Sequence, residues 1–311
     1  MSLAFVFPGQ GSQSVGMLDA LAEAYPTVKA IFAEASQALG YDLWAVVSQG
    51  PAERLDQTEI TQPAMLTAGV AIWHLWCEQG GPLPAVMAGH SLGEYTALVC
   101  AGALDFHEAV RLVADRGRYM QEAVPPGQGG MAAILGLDDE AVRRLCAESA
   151  EGEVLEPVNF NSPGQVVVAG TASAVARAVG RAKMFGAKRA IVLSVSVPSH
   201  CALMQPAAER LARRLEEVAI RTPDIPVIHN VHVEVETTAA GIRAALARQV
   251  AAPVRWVETI RKMADKGVDR LVECGPGRVL APLVKRIVPE LRVWSVSDPA
   301  SLREALAAAG S

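Results

Sequence analysis

Ala85-Val86-Met87-Ala88-Gly89-His90-Ser91-Leu92-Gly93 is the stretch on which the reading of this chain turns. Residues 85–88 are a short apolar run of the kind that forms a buried strand. The run 92–103 that follows reads as a helix. Between them Gly89-His90-Ser91-Leu92-Gly93 fits G-x-S-x-G, the strand–sharp turn–helix pattern of a nucleophile elbow. Glycine suits both ends of such a turn, because a strained backbone leaves no room for side chains. The geometry lifts the Ser91 hydroxyl off the sheet edge. It also aims the first amides of the helix, which lack helical partners and carry partial positive charge, at whatever that hydroxyl attacks. The Leu92 amide is therefore a candidate oxyanion donor. A tight turn without chemistry accounts for the same five residues.

Outward from the elbow, residues 3–7 form another apolar run, stopped by Pro8-Gly9. Met65, Ala68, Ile72, Leu75 and Trp76 recur at helical spacing within 62–78, and Gly80-Gly81-Pro82 ends that helix. Residues 105–124 read as a helix with Asp105 as N-cap. Pro125-Pro126-Gly127-Gln128-Gly129-Gly130 is the clearest linker, and after it the rhythm changes. Strand 131–137, helix 138–149, strands 154–160 and 165–169 about the turn 161–164, helix 172–185 and strand 189–195 give β-α-β-β-α-β, a split βαβ or ferredoxin-like unit. The chain then resumes a mixed pattern: helix 204–218, strand-like 227–235, helices 241–250 and 254–266, strand 269–274, a helix to 288, strand 292–296 and a last helix. Short apolar strands alternating with helices imply a mostly parallel sheet covered on both faces. The expected architecture is α/β: a large domain, 1–125 and 198–311, with a ferredoxin-like small domain, 126–197, inserted in it.

The composition is ordinary for a globular protein, with 51% apolar and 20% charged residues in 311. A net charge of -5 argues against nucleic acid as the main partner. Five scattered cysteines without a CxxC argue against a disulfide framework or a zinc site and for a reducing cytoplasm. The amino terminus lacks a basic segment ahead of a long apolar run, so no signal peptide is expected. No apolar stretch reaches ~18 residues, so no membrane span is expected either. A monomer without a bound metal or resident cofactor is the default.

A serine nucleophile needs a base. Of six histidines, His90 adjoins Ser91 at a strand end and points away from it, so it reads as a packed residue shaping the turn. His74, between Trp73 and Leu75, reads as a structural core histidine and His107 as exposed. His229 and His232, three apart in a strand-like run, would face opposite sides and make a weak metal pair. His200, in Ser196-Val197-Pro198-Ser199-His200, sits where the small domain hands back to the large one, and clefts between domains favour active sites. No acid stands at an obvious strand end to orient it, so a backbone carbonyl is one candidate. Pro8-Gly9-Gln10-Gly11-Ser12-Gln13 is a second glycine-rich turn that exposes amides. Gln10 reads as a second oxyanion donor or as part of a plain turn. Gly275-Pro276-Gly277 reads as a packing turn. Arg116, beside Gly117 on the 105–124 helix, reads either as solvated or as a fork reaching into a cleft to grip a carboxylate.

Taken together, the chain resembles the bacterial malonyl-CoA:acyl carrier protein transacylase family of fatty acid synthesis. The resemblance lies in Phe-Val-Phe-Pro-Gly-Gln-Gly-Ser-Gln (5–13), Gln-Pro-Ala (62–64), Ala-Gly-His-Ser-Leu-Gly-Glu-Tyr (88–95), Arg116-Gly117, Asn-Phe-Asn-Ser-Pro-Gly-Gln (159–165), Val-Pro-Ser-His (197–200) and Gly-Pro-Gly (275–277). It implies a hydrolase-like large domain and a malonyl-serine intermediate on Ser91 with His200 as base. It further implies that the backbone carbonyl of Gln249 orients His200, that the Gln10 and Leu92 amides form the oxyanion hole, and that Arg116 binds the malonyl carboxylate. The implied substrate is the coenzyme A thioester malonyl-CoA, and the implied partner is an acidic acyl carrier protein. Lys183, Lys188, Arg189, Arg278, Lys285 and Arg286 are candidate docking charges or simply solvated faces. A polyketide-type extender acyltransferase and a serine thioesterase or esterase remain alternatives.

Overall fold

The computed structural model describes residues 2–195 and 197–310; Met1, Ser196 (in the segment leading to His200) and Ser311 lie outside the described residues. In chain order the described strands are β1 Ser2–Phe7, β2 Val86–Gly89, β3 Gly129–Leu135, β4 Leu155–Ser162, β5 Gln165–Thr171, β6 Arg189–Val192, β7 Val227–Ile228, β8 Val268–Cys274 and β9 Arg292–Val296.

Side chains alternate across a strand, and β1 shows what that does here. Leu3, Phe5 and Phe7 enter an apolar cluster with Trp76, Leu98 and Val113. Ala4 and Val6 enter a separate one with Trp256, Ile260 and Val284. A strand apolar at every position is thus buried on both faces, which needs helices on both sides. β1 lies at the centre of a five-stranded sheet of order β7-β2-β1-β8-β9, and every pairing in it is parallel. The carboxyl ends of β1 and β2 come side by side, with Phe7 opposite Gly89. This sets the 8–13 loop next to the elbow, in the crevice where parallel sheets bind ligands.

The second sheet, order β4-β5-β3-β6, is antiparallel throughout. Its helices Asp139–Ala150 and Ala172–Arg181 cover one face, where Ala132, Ile134, Val166 and Val168 meet Val142, Leu145, Val175 and Ala178. Met131, Val167 and Ala169 on the other face pack with Cys201. A parallel bridge, Asn159 opposite Val254, joins this sheet to the rest of the molecule.

Several elements differ from the sequence reading. The helix read as 62–78 starts at Thr58, because polar Thr58 and Thr61 are buried, which hydropathy does not show. The turn read as 161–164 shrinks to Pro163-Gly164, with Gly164 at φ 72. The helix read as 172–185 ends at Arg181 and tightens into a 3₁₀ turn, Ala182–Phe185, closed by left-handed Gly186. Of 227–235 only Val227–Ile228 is strand, since the chain turns through Val233 at φ 59.

Candidate active site

The elbow is built as its glycines require. A Cβ on Gly89 would lie 1.8 Å from the Gly93 carbonyl carbon, and one on Gly93 would lie 2.0 Å from the Phe7 oxygen. No side chain fits at either place, so the helix Gly93–Cys100 starts directly over the strand ends. Ser91 pays for this with φ 52, a left-handed conformation costing on the order of 1–3 kcal/mol in a non-glycine residue. Asn230 holds the strained turn from both sides. Its Oδ1 accepts from the Ser91 amide at 2.8 Å and its Nδ2 donates to the Gly89 carbonyl at 2.7 Å.

The Ser91 hydroxyl lies 2.7 Å from Nε2 of His200. His200 is 2% exposed and sits in a left-handed turn, φ 68, ahead of the helix Gln205–Glu216. Its Nδ1 lies 2.8 Å from the Gln249 backbone carbonyl. A carbonyl only accepts, so Nδ1 carries the proton and Nε2 faces the serine with a free lone pair. Burial first, and the Arg116 cation second, hold the imidazole down to about 3, so it rests neutral.

Arg116, on the helix Phe106–Ala123, is 1% exposed. Gly117 lets that helix close on the start of helix Thr58–Glu78, where a Cβ would meet the Thr58 oxygen at 2.7 Å. The approach carries the guanidinium inward. Nη1 donates to Gln62 Oε1 at 2.8 Å, and Nη2 donates to Gln249 Oε1 at 3.0 Å and to Ser91 Oγ at 3.2 Å. Its carbon lies 5.4 Å from the Tyr95 ring centre. No Asp or Glu pairs with it directly among the described residues. A buried cation with donors aimed past the nucleophile attracts an anionic group on whatever Ser91 attacks. The Gln10 and Leu92 amides donate to no acceptor among the described residues. Each lies three residues past a strand end, Gln10 beyond Phe7 and Leu92 beyond Gly89, and those two ends are paired.

Ser91, His200, Gln249 and Arg116 are thus brought together. Sequence reasoning missed the residues behind them. Glu94, His229 and Asn230 are wholly buried. Glu94 Oε1 meets His229 Nδ1 at 2.7 Å, and Oε2 accepts from the Asn230 amide and from Gln249 Nε2. The one available signal was an acid in the first turn after the elbow. His90 contacts Asn161 Oδ1 at 2.8 Å, away from the serine. Two histidine readings are corrected. His74 is exposed, because it occupies the solvent-facing position between buried Trp73 and Leu75. His229 and His232 do not face opposite ways; they stack at 5.8 Å, since a turn rather than a strand joins them. Among the described residues no group of three or more His, Cys, Asp or Glu is placed to hold a metal, and no helix is long and apolar enough to cross a membrane. Lys183, Lys188, Arg189, Arg278, Lys285 and Arg286 are exposed.

Fold and site together define a class: an α/β body presenting a serine on an elbow to a neutral imidazole, the arrangement of serine acyl-transfer chemistry. Residues 4–299 match the family described as acyl transferase domain. The chain is 60% identical over 303 residues to the malonyl CoA-acyl carrier protein transacylase of Salmonella typhimurium, covering 97% of this chain and 98% of that one. Among solved structures, a complex of a type II PKS acyl-carrier protein with its malonyl-transacylase superposes with TM-score 0.98 at 57% identity, covering 99% of this chain and 100% of that one. The malonyl CoA-acyl carrier protein transacylase of Coxiella burnetii superposes with TM-score 0.97 at 53% identity, covering 99% and 97%. This chain belongs to the malonyl CoA-acyl carrier protein transacylase family.

Proposed function

We propose that this enzyme moves the malonyl group from malonyl-CoA to the phosphopantetheine thiol of acyl carrier protein, supplying fatty acid synthesis. The observation that carries the reading is the pair of contacts at Ser91 Oγ, with His200 Nε2 at 2.7 Å and Arg116 Nη2 at 3.2 Å. Ser91 Oγ attacks the thioester carbonyl while His200 Nε2 takes its proton, and the Gln249 carbonyl supports the imidazolium that forms. The Gln10 and Leu92 amides receive the oxyanion. The tetrahedral adduct collapses, His200 returns the proton to the departing coenzyme A sulfur, and a malonyl-serine ester remains. The carrier thiol then gives its proton to His200 and attacks that ester. Collapse expels Ser91, which recovers the proton. Intact-mass measurement after mixing with malonyl-CoA tests the reading: a malonyl increment that carrier protein discharges supports it. Malonate released at the same rate without carrier would make the enzyme a thioesterase.

Arg116 binds the malonyl carboxylate in this scheme. Acetyl-CoA is the same kind of thioester without that carboxylate, and a charge-assisted hydrogen bond contributes about 1.5–3 kcal/mol. Arg116→Ala should therefore lower malonyl loading about 10–150-fold and leave acetyl loading near its wild-type rate. Equal losses for both thioesters would remove the clamp.

Residues 126–197, which carry the antiparallel sheet, form the small domain in this scheme, inserted between 1–125 and 198–311. The carrier docks across their junction. Arg286 Nη1 reaches Gln165 of β5. Gln165 pairs with Leu135 of β3, which in turn lies opposite Arg189, and the Lys188 amide donates to the Leu135 carbonyl. Arg189 and Arg286 thereby approach the same strand ends, with Lys188 and Lys285 next to them in the chain, and among the described residues none of the four forms an ion pair. Charge reversal at these four should raise the Michaelis constant for the carrier while loading from malonyl-CoA keeps its rate. An unchanged Michaelis constant would move the docking surface elsewhere. The PKS complex among the similar structures favours a second reading, in which a polyketide carrier is the acceptor of the same malonyl group.

A further inference from the structure

Glu94 is wholly buried behind the elbow, and none of the transfer steps above uses it. Its carboxylate meets donors on every side: His229 Nδ1 at 2.7 Å on Oε1, and the Asn230 amide at 2.8 Å and Gln249 Nε2 at 3.0 Å on Oε2. The Gln249 side chain continues outward. Its Nε2 also donates to the Ser91 carbonyl at 2.9 Å, and its Oε1 accepts from Arg116 Nη2 at 3.0 Å. One amide therefore stands between a buried carboxylate and a buried guanidinium. An amide has one accepting and one donating end. Turned over, it would set oxygen against oxygen at Glu94 and donor against donor at Arg116. Besides Ser91 Oγ at 3.2 Å and the Tyr95 ring face, Arg116 has one other anchor: Gln62 Oε1 holds Nη1 at 2.8 Å, while Nε has no acceptor among the described residues. Two of the three acceptors that fix the rotation of the guanidinium beside Ser91 are thus glutamine oxygens.

We propose that Glu94 is a specificity-determining positioning residue: by accepting from the Gln249 amide it keeps that side chain's oxygen turned to Arg116 and holds the guanidinium where it binds an acyl carboxylate beside Ser91. The inference rests on the malonyl-transfer reading and on Arg116 as the clamp. It assigns the Gln249 side chain a part separate from its backbone carbonyl, which orients His200.

The test is the ratio of kcat/KM for enzyme loading from malonyl-CoA to that from acetyl-CoA, measured on the same sample. Such a ratio cancels the active fraction, so a merely structural role of Glu94 leaves it unmoved. Glu94→Met and Gln249→Met each remove the bridge, from opposite ends. Each should lower the ratio at least about tenfold, the worth of one well-placed charge-assisted bond. The double variant should lose no more than the larger single loss, because the two side chains act as one unit. Glu94→Gln should keep most of the preference. It retains an oxygen for Gln249 and Asn230, and its new NH₂ can face His229, whose Nε2 has no hydrogen-bond partner among the described residues, so that its tautomer is free to change. A ratio within about twofold of wild type in Gln249→Met overturns the proposal, as does a Glu94→Gln variant as unselective as Glu94→Met. Should Glu94→Met fail to fold, Gln249→Met decides alone. Arg116→Ala separates the two levels: if it leaves the preference intact the clamp reading fails, and if it abolishes the preference while both bridge variants keep it, only the present inference fails.

Discussion

Ser91→Ala should abolish the malonyl-enzyme adduct and cut carrier malonylation by on the order of a millionfold, as loss of the nucleophile does in a comparable serine enzyme. The size of the loss follows from the chemistry. Without Oγ no ester can form, and the two thiol substrates would have to exchange directly in one site. The oxyanion amides and the Arg116 fork would still bind malonyl-CoA, so residual binding should survive while turnover does not. Alanine at φ 52 keeps the backbone strain that serine already bears and loses no backbone hydrogen bond, since the Asn230 clamp acts on main-chain atoms. A near-native melting curve should therefore accompany the dead enzyme. Intact mass after brief exposure to malonyl-CoA reads the outcome. A malonyl increment persisting in the variant at the wild-type rate would place the acyl group on another residue and dismantle the mechanism.

Much of the fold was legible because the strands are apolar at successive positions and the glycines stand where backbone must approach backbone. The run 3–7 required two covered faces, and Phe5 and Val6 do enter different cores. The β-α-β-β-α-β order gave the antiparallel sheet, since the alternation of short strands with two helices leaves few other ways to bury both. Element ends were less legible. Thr58 and Thr61 are buried by a neighbouring helix that only a tertiary fold brings near, and hydropathy cannot anticipate that. At the site the elbow was visible in five residues, because its glycine positions leave no room for a Cβ. The pairing of Ser91 with His200 spans 109 positions, and residue-level reasoning reached it only by elimination. The role of Gln249 came from resemblance alone, because what bonds His200 is a backbone atom and any residue supplies one. Glu94, Asn230 and His229 were passed over for a related reason. Buried polar residues look like surface residues in a sequence until their partners, here more than 130 positions away, are seen.

His200→Ala should cost nearly as much as loss of the serine, on the order of 10⁵–10⁶-fold in loading, and adding Ser91→Ala to it should cost almost nothing further. A nucleophile and its base form one device, so removing either leaves only binding and the oxyanion donors. Here the dependence is tightened by what surrounds the hydroxyl. The other polar side chain on Ser91 Oγ is Arg116, a donor that cannot accept a proton. Among the described residues no second base stands within hydrogen-bonding reach of Ser91 Oγ; His90 is committed to Asn161 and His229 to Glu94. The resting imidazole is held at about 3 by burial and by the Arg116 charge, so it stays able to accept as pH falls. Loading kcat/KM, which reports the free enzyme, should accordingly stay level between about pH 8 and 5, where an unperturbed histidine near 6.5 would lose most of its basic form. In the proposed scheme the bound malonyl carboxylate would alter that balance: by neutralising Arg116 it would remove the second cause of the depression and make Nε2 a stronger base when a proton must be taken. A wild-type kcat/KM that declines through about pH 6.5 would show the imidazole depressed neither by burial nor by the Arg116 charge, and substantial loading by His200→Ala would hand the proton to a group not found beside Ser91 Oγ among the described residues.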